Sequence, residues 1–229
     1  MSKKIRTIEQ LETCLQNNLA WRKKEIISFK VLIENGNANE EVLLRLGIVL
    51  LCAHFEGFIK DASNYYIKYV SAQRIKIREL RDNFAAIQLE DEFKNVRETE
   101  KHSVHKVLLG KYFASLNSPF SHDRDSISTH SNPSTKVLEE ILASLGLASD
   151  IFDLKAKYID YDLLNNRHKV AHGERYPINK KDFETTFVII MELLDQYNDL
   201  IIHAVENKKY LRENEKSTVG EENELEKKD

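Results

Sequence analysis

With 229 residues and a formal net charge of −3, the chain is long enough for one sizeable hydrophobic core, and its overall charge does not point to an anionic partner. Only 7 Gly and 3 Pro occur, well below the usual shares of about 7% and about 5%, which favours long helices over a turn-rich β architecture. The two cysteines, Cys14 and Cys52, lie in apolar-periodic segments without metal-ligand spacing, which excludes a disulfide framework and indicates reduced thiols in a cytoplasmic protein.

The first two predicted helices are long. The first begins at the capping pattern Thr7-x-x-Gln10 and ends near residue 35, where Asn-Gly is a typical stop. The second is predicted from 39 to about 78, and its centre, 43–55, is apolar on nearly all sides, as in the central helix of a bundle. The longest wholly apolar or glycine run, 46–53, is far shorter than the roughly 20 residues of a membrane span, so no membrane segment is expected.

The second half of the chain begins with a charged segment of helical pattern, 81–116, followed by a polar, Ser-rich stretch, 117–134, that predicts a loop. Three further helices are predicted after the loop: 133–146, 150–171 and 179–210. The last residues, 213–229, carry seven acidic residues and three lysines, which indicates a disordered tail. We therefore expect a single all-α domain over 1–212.

The stretch from Asn165 to Gly173 is the candidate functional motif, because it places Arg167 and His172 where a helix meets a glycine. On an unbroken helix these two side chains start roughly 140° and about 7.5 Å apart, so either they converge at the helix end or each meets a second chain. Two other Arg-x4-6-His pairs lie in charged or polar segments and are weaker candidates: Arg97 with His102 and Arg124 with His130. The loop residues His122, Asp123, Asp125 and His130 have irregular spacing, so we expect solvent-facing side chains and no metal site.

The motif Asn166-Arg167-His168-x-Val170-Ala171-His172-Gly173, followed by a helix, resembles the HEPN superfamily of metal-independent ribonucleases. The stretch from Leu51 to Lys60 is similar to the early helix of bacterial HEPN nucleases of toxin–antitoxin and antiviral systems. The resemblance implies a HEPN-like helical bundle, here with an extra N-terminal helix and an insertion at about 81–133. It also implies a homodimer with a composite active site, no cofactor, and a cognate antitoxin or sensor protein as partner.

The resemblance implies RNA cleavage in which Arg167 and His172 are catalytic. Imidazole titrates near neutrality and suits proton transfer, and a guanidinium suits a phosphate because it keeps its charge while donating two hydrogen bonds. His168 and Asn166 are expected to support the site. Glu56 either backs the site or belongs to an exposed stripe with Lys60 and Asn64. Nearby cations form a candidate RNA-binding patch: Lys169, Arg175, Lys180 and Lys181.

Two alternatives to catalysis remain open at this point. The cations of the motif are also what a helix C-terminus favours, because its free carbonyls and dipole attract positive charge. A non-catalytic helical module of the same fold that binds RNA or a partner protein would carry the same pattern. The sequence therefore predicts an endoribonuclease acting as a toxin or antiphage effector, with such a binding module as the alternative.

Overall fold

The computed structural model describes residues 5–35, 39–97, 100–129, 131–148 and 150–212. The predicted tail and His130 lie outside these ranges. The α-helices within them are α1 Ile8–Glu34, α2 Glu40–Ala72, α3 Asp82–Gln88, α4 Glu90–Arg97, α5 His102–Ser115, α6 Thr135–Leu145, α7 Asn166–Ala171 and α8 Lys180–Glu206. The fold is all-α, as predicted.

Helix α2 is the central element, packed against α1 and α8 and also touching α6 and α7. Its large apolar side chains Phe55, Phe58 and Ile59 are fully buried, and burying each contributes about 1.5–3 kcal/mol. The helix is long and apolar enough to cross a membrane, with a mean hydropathy of 1.9, and 50% of the apolar window is buried against its neighbours. That finding is weak support for a membrane span, because the core helix of a soluble protein passes the same test.

Capping hydrogen bonds confirm the predicted starts of α1 and α8. The Gln10 N–H donates to Thr7 Oγ1 at 3.3 Å, and the Asp182 N–H donates to Asn179 Oδ1 at 2.8 Å. Ser134 accepts from the Val137 N–H in the same way and begins α6. Each cap satisfies an otherwise unpaired backbone N–H and contributes about 1 kcal/mol.

The predicted end of the second helix at about residue 78 is wrong, because α2 ends at Ala72. Arg74 has a left-handed φ of 59°, which no helix interior contains. Beyond it, the backbone N–H groups of Ile77 and Arg78 donate to Ser118 and Leu116 instead of to the preceding turn. The chain leaves the helix because pairing with 116–120 buries the Ile77 side chain.

The described part of 81–116 is helical, as predicted, and forms α3, α4 and α5, but the following loop does not face solvent throughout. Phe120 is fully buried and stacks on His122, which is itself buried. His122 Nε2 contacts the Ser126 hydroxyl at 2.7 Å, so the expectation of a solvent-facing histidine here is wrong. The loop then runs along α2, where Asn64 Oδ1 accepts from the Ser126 N–H at 3.1 Å.

The helix predicted over 150–171 ends at Ala171 as expected, but it begins later and is not α-helical throughout. The chain forms a short 3₁₀ turn at Asp153–Lys155, then a π-helical segment at Tyr158–Asn165, and only then α7. π-Helices are rare, and they often occur at functional sites. This one leads directly into Arg167.

Candidate active site

The end of α7 fixes the position of His172. Gly173 adopts a left-handed φ of 75°, the conformation that favours glycine. Its N–H donates to Val170 O at 3.1 Å, and the Glu174 N–H donates to Lys169 O at 3.0 Å. These paired bonds form a Schellman motif, which ends the helix immediately after His172.

A cavity of about 610 Å³ lies beside α7. Three segments line it: the loop before α6 with Ser131, Asn132 and Ser134, the π-helical segment with Asp160, Leu164 and Asn165, and α7 with Arg167, His168 and His172. Arg167 and His172 therefore border one cavity in a single chain, although an ideal helix would turn them roughly 140° apart. His172 is the C-cap residue, and its N–H still donates to His168 O at 3.0 Å, so the two side chains border the cavity from different directions around α7.

Glu56 on α2 lies behind Arg167. The Arg167 Nη2 atom donates to the backbone oxygen of Ser131 at 2.9 Å and lies 3.9 Å from Glu56 Oε2. The other Glu56 oxygen accepts a hydrogen bond from the buried Thr129 hydroxyl. Side-chain exposure is 24% for Arg167 and 20% for Glu56, so solvent screens this pair only in part. The guanidinium is thus held from two sides.

The alternative interpretation of Glu56, an exposed stripe with Lys60 and Asn64, does not describe this face of α2. Asn64 is buried, and its side chain binds the loop at Ser126 and Ile127. Glu56 faces the motif, as the resemblance implied.

Cys52 lies one helical turn before Glu56 and completes the surroundings of Arg167. Burial raises the pKa of the Cys52 thiol to about 11, although the Arg167 guanidinium opposes this shift. The thiol is therefore neutral near pH 7, and Glu56 is the anion that faces the guanidinium. Sequence analysis placed Cys52 in the core and missed its contact with the motif, although its i, i+4 spacing from Glu56 was a usable signal.

The two histidines of the motif touch each other. The His168 and His172 rings have centroids 4.2 Å apart at an interplanar angle of 61°, and both side chains are exposed. This edge contact places a second proton-carrying ring beside the one predicted to transfer protons. Asn166, by contrast, is buried, and its amide donates to Asp162 O at 2.8 Å. It does not line the cavity, and its amide instead joins α7 to the π-helical segment.

The predicted RNA-binding cations surround α7 but do not line the cavity. Lys169 lies 3.7 Å from the Tyr176 ring centroid, and Lys180 pairs with Glu40 at 3.3 Å. Arg175 and Lys181 are exposed. Within the described residues, no ion pair holds either of them, so both can contact a long anion.

The competing Arg–His pairs occupy other places. Arg97 ends α4 and His102 begins α5, where both side chains face solvent. Arg124 pairs with Asp91 at 2.9 Å, and its predicted partner His130 is outside the described residues.

Over the described ranges, no group of three His, Cys, Asp or Glu side chains has an arrangement that could hold a metal ion.

Sequence analysis missed the contribution of the loop before α6. Thr129, Ser131 and Asn132 reach the cavity or its rear wall from a stretch predicted only as a loop. Asp160 was also missed; its Oδ1 atom accepts from the Thr135 N–H at 2.8 Å and joins the π-helical segment to α6. The only local signal was the short polar run before Pro133.

Comparison with known proteins gives one match, to a family model. The family model described as RiboL-PSP-HEPN matches residues 17–203, well over half of the 229-residue chain. The matched range contains α2, the cavity, α7 and most of α8. No curated protein and no solved structure matches the chain.

Proposed function

Because the chain belongs to the RiboL-PSP-HEPN family, we propose that it is a metal-independent endoribonuclease whose active site is the cavity beside α7. HEPN domains are commonly ribonucleases. The observation that carries the proposal is that Arg167 and His172 border the same cavity, with Glu56 and Ser131 holding the arginine.

The chemistry assigned to these groups is transesterification within RNA. A ribose 2′-hydroxyl loses its proton and attacks the adjacent phosphorus, while the bond from phosphorus to the 5′-oxygen breaks and that oxygen takes up a proton. Imidazole of His172 suits either proton transfer. The Arg167 guanidinium stabilises the negative charge that builds on the phosphoryl oxygens. The products are a 2′,3′-cyclic phosphate and a 5′-hydroxyl end.

Incubation of the purified chain with labelled single-stranded RNA in EDTA tests this chemistry directly. We expect cleavage with 2′,3′-cyclic phosphate ends. A requirement for added magnesium, or 3′-hydroxyl ends, would contradict the proposal. Binding of RNA without any cleavage would instead favour the non-catalytic RNA-binding module.

Substitution of the motif residues tests the assignment of roles. Arg167→Ala and His172→Ala should each abolish cleavage while the circular dichroism spectrum stays that of a helical fold. Arg97→Ala and His102→Ala are the matched controls, because they remove a solvent-exposed Arg–His pair of similar spacing. Equal losses in both pairs of variants would show that the wrong motif had been chosen.

The proposed assembly is a homodimer in which two copies of the motif face each other. HEPN domains often dimerise. In this chain α2 exposes Val42, Leu46 and Ala53 at helical spacing, on the stripe that leads to Glu56. A second copy packed there would cover apolar surface and bring its own Arg and His to the first site.

Dilution tests the dimer. Specific activity should fall when the protein is diluted below its dissociation constant, and Leu46→Asp should shift that constant upwards because it buries a charge in the interface. The homodimer is excluded if sedimentation shows a monomer at the assay concentration and the activity per chain does not change on dilution.

The proposed biological role is that of a cytoplasmic toxin or antiphage effector restrained by an antitoxin or sensor protein. Expression in a bacterial host should then slow growth, and His172→Ala should relieve the effect. Tolerated expression of the wild-type chain would favour the binding module.

A further inference from the structure

Part of the cavity wall is not used by the chemistry proposed above. Beside the motif residues, the wall carries the polar side chains of Asn132, Ser134, Asp160 and Asn165, with the apolar Leu164 among them. A volume of about 610 Å³ lies in the range of sites that hold small organic molecules, roughly 300–1,000 Å³. A phosphate group alone would leave most of this space empty.

Asp160 is the one carboxylate on the cavity wall, among the residues that the structure describes. Its Oδ1 atom is fixed by the Thr135 N–H at 2.8 Å, so the carboxylate is positioned by the start of α6. Within the described residues, its Oδ2 atom accepts no hydrogen bond. A carboxylate offers about four lone-pair sites, so several remain unoccupied on this cavity-lining side chain.

A fixed carboxylate selects for a ligand that presents N–H donors. Single-stranded RNA is commonly read through the Watson–Crick edges of unstacked bases. Guanine alone presents two adjacent donors on that edge, N1–H and N2–H, which match the two oxygens of one carboxylate. Adenine, cytosine and uracil each present a single donor group on that edge. The acceptor next to it would be repelled by the second carboxylate oxygen.

We propose that this cavity binds the guanine base of the nucleotide next to the scissile phosphate, with Asp160 accepting from N1–H and N2–H. The phosphate of that nucleotide lies at Arg167. This placement rests on the proposed function. The Asn132 amide, which makes no side-chain hydrogen bond within the described residues, donates to guanine O6. The substrate class is therefore single-stranded RNA containing guanosine.

Asp160→Asn is the informative substitution. The asparagine retains one oxygen for the Thr135 N–H, so α6 keeps its contact, but its second polar atom is a donor and repels the guanine N–H groups. A bidentate contact contributes about 1–3 kcal/mol of discrimination between bases, which corresponds to a difference in affinity of about 5- to 150-fold. Asp153→Asn is the matched control, because Asp153 is an exposed carboxylate on the same stretch of chain that does not line the cavity.

The experiment has a binding arm and a cleavage arm. In the first, the affinities of guanosine, adenosine, cytidine and uridine 5′-monophosphates for the full chain are measured by calorimetry. In the second, a mixed-sequence single-stranded RNA is cleaved in EDTA and the ends are mapped by sequencing. Thermal unfolding of each variant checks that the fold is retained.

For wild type and Asp153→Asn we expect at least fivefold tighter binding of the guanosine nucleotide and cut sites next to guanosine. Asp160→Asn should lose this preference both in nucleotide affinity and in the distribution of cut sites. Equal affinity of wild type for the four nucleotides, or an unchanged preference in Asp160→Asn, would overturn the inference. Guanosine-selective binding without any cleavage would support the base site and contradict the ribonuclease proposal, so the two failures are distinguishable.

Discussion

At the scale of single residues, the notable feature is how many groups hold Arg167 in place. Its guanidinium contacts the Ser131 carbonyl and faces Glu56, and the Cys52 thiol lies beneath it. Glu56 is itself held by Thr129. Such supporting contacts keep a charged group in a fixed position, and small displacements of a catalytic group cost large factors in rate.

Glu56→Gln should separate the positioning role of the carboxylate from its charge. The amide retains an oxygen for the Thr129 hydroxyl but loses the attraction to Arg167. If the chain cleaves RNA as proposed, we expect kcat to fall by about 10- to 100-fold, since the guanidinium is less well placed. The RNA dissociation constant should not rise, because a negative charge near the phosphate has been removed.

Glu41→Gln is the control for that measurement, since Glu41 is an exposed carboxylate near the start of the same helix. Single-turnover rates and RNA titrations distinguish the two effects. A rise in the dissociation constant with unchanged kcat would contradict a positioning role for Glu56.

The position of the motif at a helix end was predictable from sequence, whereas the residues that surround Arg167 were only partly so. Arg167, His172 and Gly173 stand within a few positions of one another, so the pattern itself places them at a helix end. Ser131 and Asp160 reach the cavity from separate segments, and only tertiary packing brings them together. The resemblance to the HEPN superfamily is confirmed by the family match over 17–203.

At the scale of secondary-structure elements, the contact of α1 with α2 depends on a glycine. Arg22 on α1 is buried against Gly57 of α2, where its Nη2 atom pairs with Asp61 at 2.8 Å and its Nε atom donates to Asn18 at 2.6 Å. A Cβ atom on Gly57 would lie 2.4 Å from Arg22 Nη1. The guanidinium has little freedom to move because these bonds hold it.

Gly57→Ala should therefore destabilise the protein although alanine is the better helix former. The expected cost of displacing Arg22 is about 1–3 kcal/mol, and over most of this range it is larger than the gain of about 1 kcal/mol in helix propensity. Gly110→Ala in α5 is the matched comparison, because its Cβ would meet nothing within 4 Å. It should stabilise the protein by about 0.5–1 kcal/mol.

Denaturant unfolding of both variants measures these changes. A stabilised Gly57→Ala protein would show that Arg22 relocates without loss, and would contradict the importance assigned to this contact.

The elements that sequence analysis predicted well are those with local signals. The capping residues of α1, α6 and α8 act within one turn, so their positions can be read directly. The early end of α2 and the π-helical segment were missed because neither has a local cause. The early end of α2 depends on backbone pairing with 116–120. The π-helical segment has i→i+5 hydrogen bonds in place of i→i+4 bonds, although its residues have an ordinary helical pattern.

At the scale of the whole molecule, two buried histidines predict how stability depends on pH. Burial and the nearby Arg22 lower the pKa of His54 below its ordinary value of 6.5, although Glu25 opposes them. Burial and Arg124 lower the pKa of His122 in the same way, against the effect of Glu90. In both cases the folded protein favours the neutral ring.

The unfolded chain therefore binds more protons than the folded protein once the pH falls below about 6.5. Above that pH, both neutral rings contribute fully to the free energy of unfolding. This contribution is lost as the pH falls through the lowered pKa values. The free energy of unfolding should decrease between about pH 7.5 and about pH 5.5, and it should decrease less in His122→Gln and in His54→Gln.

His203→Gln is the comparison, because His203 is exposed near the end of α8. Urea unfolding at several pH values gives the slopes. Identical slopes in wild type and all three variants would show that neither buried ring contributes to the pH dependence.

The π-helical segment also has a consequence for the ancestry of the motif. A π turn closes over one residue more than an α turn, so a wide turn differs from an ordinary one by a single inserted residue. Loss of one residue between Tyr158 and Asn165 would narrow the segment to an α-helix and leave the register of the flanking core residues unchanged. Relatives with an uninterrupted helix before the arginine should therefore be one residue shorter here, and a one-position gap in an alignment would mark where the two lineages separated.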